Sequence, residues 1–204
     1  MYTTEKVLYA DVAIVGGGNA GCSAAITAAR AGLSTILLEQ HISLGGLMTN
    51  GYVGGLAGVR EGNAKEFLDR MEARGGIKPS RLCPLFDCEK AKLELEYMVV
   101  GAGARVLYET TVYDVVMEGE DKIKAVLAYC RGTKIIVYAD LFIDASGDAN
   151  LAAMAGAPVE YSSAEFSGYS SSSSLAARIA HVNIIKWEEA RKEWEEKQIA
   201  DGVD

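Results

Sequence analysis

A glycine-rich hexapeptide near the amino terminus, Gly-Gly-Gly-Asn-Ala-Gly at positions 16–21, has the spacing G-x-G-x-x-G. Each spaced glycine has a mechanical use: Gly16 permits a tight turn, Gly18 lets a pyrophosphate approach the backbone, and Gly21 allows a helix to pack close to a strand. The free N–H groups at the start of that helix attract negative charge. The hexapeptide therefore predicts a dinucleotide site formed by Gly16, Gly18, Asn19, Ala20 and Gly21.

A carboxylate follows this turn at the distance typical of a ribose-binding residue. Glu39 comes roughly 20 residues after the last glycine, at the end of the next predicted strand, and can accept hydrogen bonds from two ribose hydroxyls. Its negative charge disfavours a ribose that carries a 2′-phosphate. Gln40, the next residue, is assigned to the same site. The alternative is a glycine turn in an unrelated α/β protein, but the strand before the turn, the helix after it and Glu39 together favour the dinucleotide site.

The segments around the turn predict a βαβ unit. Residues 10–15 are an apolar run suited to a buried parallel strand, and residues 34–38 are a second run of this kind. Between them, residues 22–31 are rich in alanine and predict a helix that stops at Gly32. A strand, a turn, a helix and a second strand within about 30 residues form a parallel unit with a right-handed crossover.

The middle of the chain predicts a loop and two helices. Residues 44–62 are dense in glycine, which favours a long functional loop over a packed helix. Apolar residues at helical spacing predict a helix over 64–74. Asp87 is suited to cap the start of another helix, which runs to about residue 100. One face of this helix carries Leu93, Tyr97 and Val100.

From residue 105 the apolar period changes to two, and hairpin signals separate the segments. This pattern predicts a small antiparallel meander over about 105–140. Its predicted strands are 106–108, 112–117, 123–129 and 134–138. A further buried strand over 141–144 leads into a turn at 145–148 and an alanine-rich helix over 149–155.

The last part of the chain, residues 161–204, differs in composition. Residues 162–174 are rich in serine and predict a linker, residues 175–185 predict a strand, and residues 187–200 predict a charged helix. The apolar stripe of that helix consists of Trp187, Ala190 and Trp194. For the tryptophans, packing in a core or an interface is favoured over stacking on a substrate. We expect this part to be the start of an incomplete second domain or a helix that docks a partner.

Composition and charge exclude several classes of protein. The chain has 204 residues, of which 50% are apolar, and a formal net charge of −8, which is the balance of a soluble globular protein rather than a disordered one. The acidic charge argues against a nucleic-acid groove, which needs a basic face. No apolar run has the length of a membrane span, and the amino terminus lacks a signal-peptide core, so a cytoplasmic location is expected. The cysteines are then expected to be reduced thiols.

Four segments occur in a characteristic order: Asp11-Val-Ala-Ile-Val-Gly-Gly-Gly-Asn-Ala-Gly21, Glu39, Leu44-Gly-Gly-Leu-Met48 and Ile143-Asp-Ala-Ser-Gly-Asp148. Together they resemble the FAD-dependent oxidoreductases of the glutathione-reductase-type flavoprotein superfamily. They are most similar to a bacterial group with a Leu-Gly-Gly-Met-x-Thr loop and an Ile-Asp-Ala-Thr-Gly-Asp turn. The resemblance implies an α/β fold: a Rossmann-like FAD-binding domain over 1–160, with a central parallel sheet, flanking helices and an inserted antiparallel β-meander.

The fingerprint at 16–21 alone leaves NAD and FAD open. The glycine-dense loop after Glu39 favours FAD, because it lets the backbone pass close to an extended dinucleotide, whereas an NAD-binding domain needs no such loop. The sequence at 16–22 is also similar to a tRNA-modifying flavoprotein family. That family lacks a glutamate at the position of Glu39, and the acidic chain disfavours RNA.

The resemblance also implies which residues contact the cofactor. The segment 45–48 would line the flavin-side phosphate and the ribityl chain, with Thr49 and Asn50 near the flavin ring. Val112 matches a strand that meets the adenine, and 145–148 match a second cofactor turn. The full predicted set is Gly16, Gly18, Asn19, Ala20, Gly21, Glu39, Gln40, Gly45, Gly46, Leu47, Met48, Val112, Ala145, Ser146, Gly147 and Asp148.

In function, the resemblance implies flavin-mediated hydride or electron transfer on a small-molecule substrate, with NAD(P)H or another electron carrier as a further reactant. No side chain is identified as catalytic. Proteins of the resembled group are usually longer, and their second half covers the flavin. We therefore expect this chain to be a fragment of a longer enzyme, or one subunit of a split enzyme whose partner completes the flavin site. An oligomer is expected. The alternatives are a non-catalytic FAD-binding or assembly subunit and an NAD-binding Rossmann protein.

The cysteines and histidines give weaker signals. Cys83 and Cys88 have the C-x4-C spacing of the redox disulfide of glutathione reductases, but they lie about 40 residues after the glycine loop instead of directly after it, so ordinary thiols are favoured. His41 and His181 are isolated, which favours structural or surface roles, although His41 is near enough to Glu39 to lie beside the cofactor. No residues have metal-ligand spacing, and we predict no metal site.

Overall fold

The helices and strands follow the apolar patterning of the chain. The computed structural model describes residues 4–56, 58, 61–78, 84–160, 175–177 and 179–200. Contacts divide the chain into two units, Met1–Ser172 and Ser173–Asp204. In chain order the elements are β1 (Thr4–Val15), α1 (Asn19–Arg30), β2 (Thr35–Leu38), a 3₁₀ turn (Gly46–Met48), α2 (Gly62–Ala73), β3 (Ile77–Lys78), β4 (Leu85–Phe86), α3 (Cys88–Gly101), β5 (Arg105–Leu107), β6 (Thr110–Met117), β7 (Ile123–Cys130), β8 (Thr133–Asp144), α4 (Asn150–Met154) and α5 (Ile184–Ala200).

Six strands of the first unit form one sheet in the order β5-β2-β1-β8-β7-β6. β5, β2, β1 and β8 run parallel, whereas β7 is antiparallel to both of its neighbours, β8 and β6. At its end β1 has Val15 beside both Leu38 of β2 and Asp144 of β8. Three parallel strands therefore end side by side, and the turns that follow them share one edge of the sheet. The predicted βαβ unit and the α/β fold are confirmed.

The antiparallel meander continues the central sheet. Segments 134–138 and 141–144, predicted as separate strands, form the single strand β8, which pairs with β7 through its first half and with β1 along most of its length. The pairing of β1 with β8 omits Asp11, so Leu8 and Ala13 face the same core although one position is even and the other odd. A regular period of two does not allow this. The same shift occurs on β8, where Val137 and Phe142 both pack in that core, and it falls between the two predicted segments. Residues 106 and 107 of the segment 106–108, predicted in the meander, instead lie in β5 and pair in parallel with β2, and residue 108 lies in the turn that follows.

Two apolar cores lie on opposite faces of β1. The first contains Ile14 and Leu37, both fully buried, beneath α1, α2 and α3. The second contains Ala13 and Val15 with strand residues of the meander and Leu151 of α4. Burial on both faces explains the unbroken apolar run at the end of β1, which is typical of parallel strands.

The helix α3 begins as predicted but buries a different face. Asp87 caps it, because its carboxylate accepts hydrogen bonds from the N–H groups of Glu89 and Lys90 at 2.9 and 3.3 Å. The predicted stripe shares one face, but its side chains Leu93, Tyr97 and Val100 are each more than half exposed. The buried face of the helix consists of Cys88, Ala91, Glu94, Leu95, Met98 and Val99. Both stripes have helical spacing, so contact with α1 and α2, rather than local pattern, selects the buried one.

In the second unit, the described residues 175–177 and 179–183 contain no strand, so the strand predicted over 175–185 is wrong there; α5 begins at Ile184. Trp187 and Trp194 are more than half exposed, and the Arg191 guanidinium lies 5.9 Å from the centre of the Trp187 ring. The serine-rich segment 162–174 lies outside the described residues. None of the described helices combines the length and the hydropathy that crossing a membrane requires.

Leu95→Ala should lower the free energy of unfolding by about 2–5 kcal/mol, because this side chain is almost fully buried in the first core. Leu93→Ala, on the same helix, is the matched control and should change it by less than about 1 kcal/mol because Leu93 is half exposed. Urea unfolding followed by circular dichroism measures both. Equal losses in the two variants would show that the buried face of α3 is wrongly assigned.

Candidate functional site

A cleft of about 680 Å³ lies along the edge where β1, β2 and β8 end. This volume falls within the roughly 300–1,000 Å³ that is typical of small-molecule sites. Every residue of the predicted cofactor-binding set except Gly21 lines the cleft. That these residues bind FAD remains a prediction. Lining residues outside the predicted set are Val15, Leu38, His41, Asn50, Gly51, Thr110, Thr111, Asn150, Leu151 and Met154.

The glycine turn forms one wall, and its three spaced glycines differ in their surroundings. A side chain at Gly16, which has a φ of +101°, would collide with the carbonyl oxygen of Ala145. A side chain at Gly21 would collide with the carbonyl oxygen of Gly16, which explains why Gly21 packs beneath the turn and does not line the cleft. At Gly18 a Cβ would meet no atom within 4 Å, so this position opens into the cleft.

The start of α1 is free to receive an anion. Gly18 precedes the first residue of the helix and supplies no side-chain cap, and the first turn contains no acidic residue. The N–H groups of a helix's first turn have no partners within the helix. They and the helix dipole together favour a negatively charged group at this point of the cleft.

Glu39 is held in place by the backbone of two segments. It is 4% exposed, and its carboxylate accepts hydrogen bonds from the N–H of Gly17 at 2.6 Å and the N–H of His41 at 2.7 Å. Its own carbonyl accepts a hydrogen bond from the N–H of Thr110 at 2.9 Å. A carboxylate has about four acceptor positions, so two bonds leave capacity for a ligand.

Gly17 was missed by the sequence analysis. A Cβ at this position would lie 2.6 Å from a methyl carbon of Leu44 and 2.8 Å from the Glu39 carboxylate. The signal was present, because Gly17 is the residue between the two spaced glycines and makes three in a row. Gly17 is required for the close contact with Glu39, not for contact with a ligand.

The glycine-dense loop after Glu39 packs against the glycine turn. The N–H of Gly45 donates to the carbonyl of Gly17 at 2.8 Å, and a Cβ at Gly46 would lie 3.2 Å from the Cα of Gly18. Thr49 is fully buried and donates its hydroxyl to the carbonyl of Leu44 at 2.5 Å, so it supports the loop from below and does not line the cleft. Asn50, its neighbour, does line it.

The thiols of Cys22 and Cys88 are buried, whereas the imidazole of His41 lines the cleft. Burial raises the pKa of the Cys22 thiol to about 12, and its Sγ lies 3.2 Å from the carbonyl oxygen of Gly17, so it stays protonated beneath the turn. Cys83 lies outside the described residues, and Cys88 is buried at the start of α3. His41 is exposed and lines the cleft, whereas His181 precedes α5. Within the described part of the chain no group of His, Cys, Asp and Glu side chains could hold a metal ion.

Known proteins share this sequence pattern. Residues 11–203 match the protein family described as FAD dependent oxidoreductase. The chain is 34% identical over 122 residues to the thiamine thiazole synthase of Methanococcus vannielii and 31% identical over 155 residues to that of Sulfolobus acidocaldarius. The two alignments cover 57% and 71% of this chain and 45% and 58% of the relatives. The chain thus spans about half the length of the curated relatives that it matches.

A solved structure shares the fold. The crystal structure of Thermovibrio ammonificans THI4 superposes with a TM-score of 0.55 at 23% identity, and the match covers 74% of this chain and 64% of that one.

Gly18→Val should abolish FAD binding and leave the fold intact. Its backbone is extended (φ −68°, ψ −173°) and the Cβ would meet no protein atom, so the new side chain fills only the cleft. We expect affinity to fall by at least about a hundredfold, or roughly 2.7 kcal/mol. Flavin fluorescence titration measures affinity, and a thermal melt reports the fold. Gly101→Val, also open on its Cβ side but at the end of α3, is the control. Retained affinity would mean that the diphosphate lies elsewhere.

Glu39→Ala should destabilise the chain even without FAD. It leaves the N–H groups of Gly17 and His41 without an acceptor, which costs about 1–3 kcal/mol of unfolding free energy. Glu120→Ala, an exposed carboxylate between β6 and β7, removes the same charge and should be close to neutral. Urea unfolding of the two apo variants compares them. An unaffected Glu39 variant would rule out this structural role.

Proposed function

The chain belongs to the FAD dependent oxidoreductase family, and we propose that its cleft holds FAD in an extended conformation for hydride or electron transfer on a small-molecule substrate. The observation that carries the proposal is the open position at Gly18. There the helix α1 starts without a side-chain cap, and no protein atom lies within 4 Å of where a side chain would begin. A diphosphate fits such a helix start in both charge and space.

The adenosine part of FAD would lie toward Glu39. Two backbone N–H groups already fix this carboxylate, so it can accept ribose hydroxyls without first losing side-chain freedom. Beyond it, Thr110, Thr111 and Val112 at the start of β6 form a wall of the cleft, where the family resemblance puts the adenine. Gln40 and His41 line the same end.

The flavin part of FAD would lie along the glycine loop and the turn after β8. Residues 45–48 and 145–148 line the cleft there. A Cβ at Gly46 would lie 3.2 Å from the Cα of Gly18, so a side chain at Gly46 would press on the glycine turn. Bound FAD supplies the redox chemistry, by accepting and returning hydride or electrons. We propose NAD(P)H or another electron carrier as the second reactant. The role of this chain's residues is to bind and orient the cofactor.

A further polypeptide segment is proposed to complete the flavin site. Leu47, on the cleft wall, is 76% exposed and Ile42, in the same loop, is 77% exposed. Large apolar side chains left exposed in a loop that lines a ligand site favour contact with more protein. A longer form of this chain, or a second subunit, would supply that cover.

Thiazole synthesis is a second candidate activity. It is favoured by the 31–34% identity to thiamine thiazole synthases, which extends over up to 155 residues. Growth of a thiazole-requiring bacterial strain that expresses the FAD-loaded chain tests it, and failure to grow would remove the candidate. The family match does not favour a non-catalytic subunit or an NAD-binding Rossmann protein.

The purified chain should take up an equimolar amount of FAD and show the visible absorption bands of oxidised flavin, which bleach with dithionite. Mass spectrometry of the ligand released by acid should identify FAD. Titration with NAD is the control and should give no comparable affinity, because the long glycine loop suits a longer dinucleotide. Preference for NAD over FAD would refute the proposed function.

A further inference from the structure

Asp144 is the last residue of β8 and does not line the cleft, although the four residues after it all do. Its Oδ1 accepts a hydrogen bond from the N–H of Ser146 at 2.9 Å, and its Oδ2 accepts one from the N–H of Ala152 at 2.8 Å. One carboxylate therefore fastens both ends of the loop that joins β8 to α4.

This loop has a conformation that needs such support. Gly147 has a φ of +91°, and Ala149 has a φ of +56°, a left-handed conformation that is unfavourable for a residue with a side chain. Ala149 precedes α4 and offers it no side-chain cap. The N–H groups at the start of α4 are instead bound by Asp144 and by the Ser146 hydroxyl, which accepts from the N–H of Asn150 at 2.9 Å.

The side chain of Asp144 is charged at neutral pH. Burial acts to raise its pKa, but the hydrogen bonds from the N–H groups of Ala152 and Ser146 outweigh burial and hold the pKa below its ordinary value. Hydrogen bonds to an ionised carboxylate are about twice as strong as those between neutral groups.

The loop that Asp144 holds is also packed against the glycine turn. The N–H of Ala145 donates to the carbonyl of Val15 at 2.8 Å, and the carbonyl oxygen of Ala145 occupies the space where a side chain of Gly16 would begin. A shift of this loop would therefore move one wall of the cleft and disturb the glycine turn, which is packed against it.

We propose that Asp144 is a positioning residue for FAD: without touching the cofactor, its carboxylate holds residues 145–148 in the conformation that receives it. The proposal rests on the proposed function, since this loop conformation serves binding only if the cleft takes FAD. The proposed role of these hydrogen bonds is to shape the site, and the test must distinguish it from a role in keeping the chain folded.

The test compares three variants with the wild-type chain. Asp144→Asn keeps the size of the side chain but replaces one acceptor oxygen by an NH₂ group. Asp144→Ser leaves a single acceptor oxygen on a shorter side chain. Asp140→Asn, exposed on the same strand, is the matched control for the lost charge. Each protein is examined by FAD titration, by urea unfolding without FAD, and by amide hydrogen exchange of residues 145–155.

We expect both Asp144 variants to bind FAD at least about tenfold more weakly than the Asp140 variant, a loss of roughly 1.4 kcal/mol. Both variants should still unfold cooperatively, with midpoints lowered less than that of Glu39→Ala because Asp144 is only partly buried, and faster exchange should be confined to residues 145–155. Unchanged FAD affinity, loss of the fold in both variants, or a uniform rise in exchange across the sheet would overturn the proposal. If the wild-type chain binds no FAD, the proposed function fails and this proposal falls with it.

Discussion

The parallel pairing of β1 between β2 and β8 is the constraint on which the rest of the site depends. Because Val15 lies beside both Leu38 and Asp144, the three strands end at the same edge of the sheet. The glycine turn, Glu39 and the loop after β8 then meet without further arrangement. A register slip of two residues would move Gly17 and Glu39 about 7 Å apart along the strands, which is beyond hydrogen-bond distance.

Two carboxylates at strand ends do similar work. Glu39 follows β2 and Asp144 ends β8, and each accepts hydrogen bonds from two backbone N–H groups, which lie in the turns around the cleft and at the start of α4. Such turns form no regular ladder, so their N–H groups need partners from elsewhere. A carboxyl group provides two acceptor oxygens at once. The cleft walls can therefore be made of backbone and glycine and still hold a defined shape.

The sequence allowed the local parts of this fold to be predicted, and distant contacts decided the rest. The βαβ unit, the Asp87 cap and the α4 helix depend on neighbouring residues, and the structure contains all three. The buried face of α3 depends on packing with α1 and α2, and the local pattern pointed to Leu93 instead of Leu95. The continuity of β8 depends on an irregularity shared with β1, which a period of two cannot reveal.

The site shows the same division. The family resemblance allowed residues distant in sequence to be assigned to one site, and all of them line one cleft except Gly21, which lies beneath the turn. Gly17 and Asp144 were missed because their role lies in hydrogen bonds to the chain itself. A ligand motif identifies the residues that face the ligand. The residues that hold these in place can be identified only when their hydrogen-bond partners in the folded chain are known.

The pairing of β1 with β8, the first and last strands in sequence, has a consequence for biosynthesis. Thr4 and Thr133 lie 129 residues apart in sequence, yet their hydroxyls are 3.0 Å apart. While the ribosome is still extending the nascent polypeptide, β1 can pair with β2 but has an open edge on its other side. Such an edge is a template for wrong association. The newborn protein therefore carries this open edge of β1 until its eighth strand has emerged.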